Sequence, residues 1–493
     1  MEAPDVLTNW ATTWLAINPN ASLEQMLSAA MERKYSANPG EVFFTGGGTH
    51  TFVNFEKNED GRSMDLHEAL RNSVNLVFVR LMRDIVNYTI AQGQQTKQEL
   101  LSDPDQPARK AYLERYADRE GTTFLSRYIN DYTNLSPEEA LEKLTARAHR
   151  GATARTLLFR TLRPKASYAD YTNYMRKYFK DELGDARLRE LYRDYPAERY
   201  NLADRGYITG LNPLELWLVG YKQANPTASR NTVLTVSKPI RIDSYSWLFH
   251  PRMKGAQDTR IRILLELDAF ARIQQRWARL GYPFERLVPS FATAIGSSAD
   301  RPGALAELVG ILLNDGVKKP TLRFEELHFA SNTPYETVMT PGGTQSTQVL
   351  HPLIARTVRS AMIEVVEGGT AKRLYGAYLD ANGKPMVIGG KTGTGDHRFD
   401  EYGPGGRLIS SRVVNRTGTI AFFIGDKFFG TVTAHVAGEE AGNYKFTSAL
   451  SAQMLRAMAP VLQPLINGTP VVGTAVSQAS VIPAVARPAI QQP

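Results

Sequence analysis

The chain has 493 residues, 42% hydrophobic and 22% charged, which is an ordinary balance for a folded protein and length enough for two or three domains with a sizeable core. It has no cysteine, so thiolate metal sites, disulfides and cysteine nucleophiles are excluded. Its eight histidines lack His-Glu-x-x-His or comparable spacing, so the sequence points to no metal and no cofactor. A formal net charge of +8 favours anionic surroundings such as acidic lipid, cell-wall polymer or nucleic acid.

The stretch Met1-Glu2-Ala3-Pro4-Asp5-Val6-Leu7 has neither a basic n-region nor an apolar h-region, so no signal peptide is read there. No window approaches 18 uninterrupted apolar residues, so no membrane span is predicted in this chain. Residues 1–94 read as mainly helical. Ser22-Leu23-Glu24-Gln25 has capping-box spacing, Phe43 to His50 is a glycine-rich loop, and Asp65-Leu66-His67-Glu68 caps a segment with apolar residues at helical spacing. Gly46-Gly47-Gly48 is no phosphate loop, because no Lys-Ser/Thr and helix follow.

From 95 to 261 the composition changes to dense charge interleaved with tyrosine. Ser136-Pro137-Glu138-Glu139, Ser167 to Gly184 and Asn212-Pro213-Leu214-Glu215 all carry helix-start or helix-stop grammar. This segment reads as a helical insertion. Its acids are interspersed with its bases, so a solvated helical surface is favoured over a nucleic-acid face.

Residues 262–465 return to compact-domain character. Phe291 to Gly296 leads into a loop, Pro302 to Leu313 is a helix, and Asn314-Asp315-Gly316 is a turn. A helix from His351 to Val366 ends at Gly368-Gly369. Val387 to Thr394 reads as a strand, Asp396 to Arg412 as a loop, and Thr419–Ile424 with Phe428–Val436 as a hairpin turning at Gly425-Asp426. Phe446 to Ala459 is a closing helix stopped by Pro460. The Pro-, Val- and Ala-rich tail 466–493 is predicted to be disordered.

Chemistry concentrates at Val387-Ile388-Gly389-Gly390-Lys391-Thr392-Gly393-Thr394-Gly395. An apolar run ends there in a cation, two hydroxyls and glycines, suiting a strand edge that meets an anionic group, with Gly393 leaving room for a ligand's backbone. A near-copy, Arg416-Thr417-Gly418-Thr419, shows that the pattern alone is cheap; order and context raise it. Val365-Val366-Glu367-Gly368-Gly369-Thr370-Ala371 lies just upstream, and Ala292 to Ala304 and Glu68 to Asn75 lie further back. In this order the stretches resemble the transpeptidase domain of penicillin-binding proteins, as found in the bifunctional class A peptidoglycan synthases. Ser36-Ala37-Asn38 and Ser229-Arg230-Asn231 also match Ser-x-Asn, but only Ser73-Val74-Asn75 follows a helix and precedes the other stretches.

The resemblance implies an α+β fold of the β-lactamase/transpeptidase kind, an antiparallel sheet flanked by helices, here incomplete on its N-terminal side and carrying the large insertion. It implies acyl transfer on D-Ala-D-Ala peptides in peptidoglycan cross-linking, at the periplasmic face of the inner membrane. In that family's terms Ser73 would relay a proton and Asn75 would hydrogen-bond the substrate amide. Lys391 would stabilise the anionic end and tune Ser73. Thr392 and Thr394 would bind the terminal carboxylate, Gly393 between them would belong to the same substrate-binding stretch, and the Thr394 N–H would be one oxyanion donor. The family's nucleophile sits in Ser-x-x-Lys, and no serine in this chain has a lysine three residues later. The expectation is therefore a fragment without its nucleophile, inactive alone, with a three-strand sheet left open at one edge and reduced stability. Partners implied are peptidoglycan stem peptide, other cell-wall synthases, and β-lactams once the missing segment is supplied. A non-catalytic module that keeps the carboxylate pocket is the first alternative. A helical partner- or nucleic-acid-binding protein working through 95–261 is the second.

Overall fold

The computed structural model describes residues 5–45, 48–93, 97–180, 182–322, 324–341, 345–402 and 408–468. The chain forms two compact units, residues 1–8 with 86–269, and residues 9–85 with 270–493. The glycines Gly46 and Gly47 and the tail beyond Gly468 lie outside the described residues.

The first unit is helical. Its core joins Leu125, Leu144, Leu158, Leu188 and Leu191 with the buried rings of Tyr128, Tyr132 and Tyr171. Part of the tyrosine density read from the sequence is thus core packing. The caps form as the sequence spacing predicts: Ser136 and Glu139 make a capping box, and the Asn212 side chain accepts from Leu214 N–H ahead of Pro213. Glu215, fully buried, is held by the Tyr132 hydroxyl at 2.7 Å and by the Arg147 guanidinium. A buried carboxylate persists only with such partners.

The second unit is mixed, with an antiparallel sheet flanked by helices as expected. Three strands make the sheet: an edge strand Ile388–Tyr402, a central strand Leu408–Ile424 and a third strand Phe428–Ala437. The hairpin turns at Gly425, whose φ of 62° favours glycine. Alternation along the central strand feeds two cores. Ile420, Phe422 and Ile424 pack with Val365, Leu374, Ala452 and Leu455, while Phe423 packs with Val309, Leu312 and Met362. Helices Pro302–Leu313, Pro352–Gly368 and Ser448–Ala457 supply those partners, with Leu374 coming from the short 3-10 turn Lys372–Leu374.

Three expectations are corrected here. Asp396 to Arg412 is not simply a loop: among its described residues the edge strand runs on to Tyr402 and the central strand begins at Leu408, pairing Phe399 with Arg412 and, beyond a register shift between Val413 and Asn415, His397 with Asn415. This ribbon buries neither face, so its charges look loop-like although its backbone is paired. Residues 9–65 also hold short strands as well as helices, among them Val42–Thr45 paired with Gly48–Thr51. Finally, Pro460 does not end the chain's helical structure. It sits in the first turn of a further helix, Ala459–Ile466, where its missing N–H has no intrahelical acceptor to lose.

Candidate functional site

The site is built in the second unit, around Ser73 and Lys391. Asp65 caps the helix Leu66–Asn72 by accepting from Glu68 N–H at 2.8 Å. Ser73 ends that helix in the left-handed region, φ 61° and ψ 44°, its N–H donating to the carbonyls of Ala69 and Leu70. The next helix starts at once, at Asn75. The serine therefore stands on a sharp corner between two helices, a conformation usually left to glycine or asparagine.

A second corner meets the first. The helix Pro352–Gly368 ends against Arg71: the Thr370 N–H donates to the Arg71 carbonyl at 3.1 Å. A Cβ on Gly369 would lie 2.2 Å from that same oxygen, so only glycine permits this approach. Thr370 then reaches the edge strand, its hydroxyl 2.6 Å from that of Thr392.

Lys391 lies on the edge strand, where its Nζ donates to Ser73 Oγ and to the Thr392 carbonyl, both at 2.7 Å. Burial pushes this ammonium down to about 8 from the usual 10.5, because removing a charge from water disfavours the charged form. Residues 318 apart in sequence are thereby in direct contact.

The remaining predicted site residues are placed as follows. Thr394 Oγ1 accepts the Ser448 N–H at 2.8 Å and donates to Ser448 Oγ at 3.2 Å. Gly393 faces open space, and a Cβ there would touch nothing. Asn75 Nδ2 donates to the Val53 carbonyl at 3.0 Å. Strand alternation sets Lys391 and Gly393 on one face and Thr392 and Thr394 on the other, so a ligand reaching all four must lie along the strand's free edge. Among the described residues the sheet order is third, central, edge, which leaves that side of Ile388–Tyr402 without a neighbouring strand.

The Ala292 to Ala304 stretch is occupied with its own loop: Thr293 Oγ1 lies 2.7 Å from Ser298 Oγ, which accepts the Val288 N–H. Two supporting residues were not singled out from sequence. Thr370 lies inside the Gly-Gly-Thr-Ala stretch and was findable; Ser448 carries no local signal at all. The near-copy Arg416 to Thr419 has a structural use: a Cβ on Gly418 would come within 2.9 Å of the Thr447 carbonyl. Among the described residues, no group of histidines and carboxylates could hold a metal ion, and no helix is long and apolar enough to cross a membrane.

No family model and no curated protein matches this sequence. The solved structures to which the chain is similar include penicillin-binding transpeptidases. Penicillin-binding protein A from M. tuberculosis, as its ceftriaxone acyl-enzyme complex, is 12% identical with a TM-score of 0.34, covering 90% of this chain and 57% of that one. Penicillin-binding protein 3 from the same organism, complexed with aztreonam, is 15% identical with a TM-score of 0.26 over 48% of this chain and 49% of that one. The D,D-transpeptidase domain of a peptidoglycan glycosyltransferase from Eggerthella lenta is 14% identical, TM-score 0.30, covering 88% and 61% respectively. These likenesses are loose, and the chain spans about half the length of the solved structures it matches.

Proposed function

We propose that this chain is a penicillin-binding protein of the serine D,D-transpeptidase type, acting on peptidoglycan stem peptides at the periplasmic face of the inner membrane. The observation that carries the reading is the buried amine of Lys391 held against Ser73 at one end of an open strand edge. Thr392, Gly393 and Thr394 continue that edge. A stem peptide ending in D-Ala-D-Ala would lie along it in extended form, with main-chain groups exposed by the lack of a side chain at Gly393. Its carboxylate would take the Thr394 hydroxyl, and the Lys391 ammonium would lower the energy of the anionic end. Asn75 would meet the substrate amide, and β-lactams would occupy the same groove as substrate mimics.

Binding of a synthetic stem peptide ending in D-Ala-D-Ala, followed by calorimetry, tests this. The free-acid peptide is expected to bind and the C-terminal amide to bind at least ~10-fold more weakly, the size of one hydrogen bond to a charged group. Thr394→Val should weaken the acid and leave the amide unchanged. Equal affinity for acid and amide would show that the strand edge is no carboxylate site.

A further inference from the structure

We propose that the chain's own C-terminal segment, residues 469–493, docks on an apolar stripe along the two closing helices of the second unit.

The stripe is set by helical spacing. Ser448–Ala457 and Ala459–Ile466 run into one another through Met458. Its N–H donates to the Met454 carbonyl at 3.0 Å, and its carbonyl accepts the Leu462 N–H at 2.9 Å. Side chains three and four positions apart therefore stay on one face across the joint. One face points inward: Ala452, Leu455 and Ala459 are buried in the sheet core, with Leu462 and Ile466 packed against it. Beside it runs a second apolar row, Leu450, Met454, Met458, Val461 and Leu465, at intervals of four, four, three and four. All five are between 40% and 69% exposed. Scattered surface leucines need no explanation, whereas a contiguous row marks a surface that something covers. The charge that would suit such a helix to water is missing as well. Arg456 is the one charged residue from 448 to 467, and its guanidinium donates to the Arg373 carbonyl at 2.8 Å.

Size decides between occupants. Five half-exposed side chains offer on the order of a few hundred Å², whereas a stable pair of proteins buries about 800 Å² on each side. The row is therefore too small to hold a second copy against the entropy lost on association. A segment of the same chain avoids that loss, because a short tether keeps it at an effective concentration on the order of millimolar.

The chain supplies such a segment. The second helix ends at Ile466, and Gly468 turns the backbone off its axis at φ 72°. Residues 469–493, outside the described part of the structure, follow directly. They include Val471, Val472, Val476, Val481 and Ile482, and a single charge at Arg487. Segments that stay unfolded are rich in charge, and this one is not. Its prolines, among them Pro470 and Pro483, bar a helix, while its β-branched residues suit extended chain. The stripe is about 23 Å long at the rise of a helix, so about seven extended residues cover it. The stretch from Val471 to Ile482 is long enough to turn back and do so. The same pair of helices begins at Ser448, whose N–H donates to Thr394 Oγ1, so the docked segment braces the helix behind the strand edge.

Methionine oxidation reads the stripe in the full chain without a reporter. Met454 and Met458 lie on it, and Met339, exposed on the small hairpin of Leu327–Phe329 with Thr337–Met339, is the control. Limited peroxide oxidation, mapped by peptide mass, compares the full chain, the chain ended at Gly468 and the full-length double variant Val472→Asp/Ile482→Asp. The double variant keeps the segment but makes its burial costly. Met454 and Met458 are expected to oxidise at least ~5-fold more slowly in the full chain than in either variant, the population ratio that even weak docking maintains. Met339 should not change. Should the shortened chain lose its circular-dichroism spectrum, the double variant alone decides. Met454 and Met458 oxidising as fast in the full chain as in the double variant overturns the proposal, and a mass that doubles with concentration would then make a second copy the occupant.

Discussion

Lys391 carries the clearest physical signature in the molecule, a cation held largely away from water. Its folded pKa of about 8 lies below its unfolded value of 10.5, so between those values the unfolded chain binds more protons and stability rises with pH. Below pH 8 both states are charged and the folded one bears the desolvation cost, which at 1.36 kcal/mol per pKa unit is at most ~3 kcal/mol. Part of the side chain still meets solvent, and two hydrogen bonds offset some of that cost. Denaturant titrations from pH 7 to 11 should show stability climbing from pH 8 and levelling above 10.5. In Lys391→Met that climb should vanish, and the variant should be the more stable protein at pH 7. A wild-type profile flat over this range would show that the lysine is ordinarily solvated.

Gly369 is the residue that makes the site possible without touching it. Its Cβ position lies 2.2 Å from the Arg71 carbonyl, a backbone atom that cannot swing aside. Gly369→Ala should cost on the order of 1–3 kcal/mol through overpacking. It should also separate Thr370 from Arg71 and weaken stem-peptide binding more than the melting temperature alone would predict. Unchanged binding in a destabilised Gly369→Ala would mean that the two corners are held together by something else.

At the scale of elements, the central strand divides into two parts of opposite character. From Gly418 to Ile424 it is a core strand, buried on both faces by Leu455, Ala452, Met362 and Leu312. From Leu408 to Asn415 it belongs to a ribbon paired only with the edge strand until the third strand joins at Asn415. Leu455→Ala should therefore cost about 2–5 kcal/mol, as a fully buried leucine does. Arg412→Ala, on the exposed ribbon, should stay within about 0.5 kcal/mol. Chemical denaturation of the two variants separates the cases, and a similar cost for both would mean that the ribbon is packed. The same division explains why Asp396 to Arg412 reads as a loop in the sequence: pairing leaves no periodic trace where neither face is buried.

At the scale of the whole molecule, residues 86–269 form a unit with its own apolar centre, from Leu125 and Leu144 to Leu188 and Leu218. A segment with its own core should fold by itself. Expressed alone, it should give a helical circular-dichroism spectrum with a cooperative thermal transition, and should take up no penicillin. A non-cooperative melt would show that its core needs the rest of the chain. The excess positive charge belongs to this scale too. It bears on what the protein is drawn towards, and says nothing of the fold.

Much of this was legible in the chain itself because it is written in short-range rules. Ser22, Asp65 and Ser136 announce helix starts with a side chain that reaches the backbone three residues on, and Gly425 announces its hairpin. The Lys391 to Thr394 stretch announced a polar strand edge, and the order of its companions suggested which protein family it resembles. Only tertiary structure could decide that Ser73 and Lys391 touch, that Asn75 is turned to Val53, and that burial pulls the lysine's pKa down from its usual value. Those facts depend on two helix ends meeting at Arg71 O, a contact between backbone atoms that no residue type spells out. Local sequence determines which groups are available; the packing of distant turns determines which of them meet.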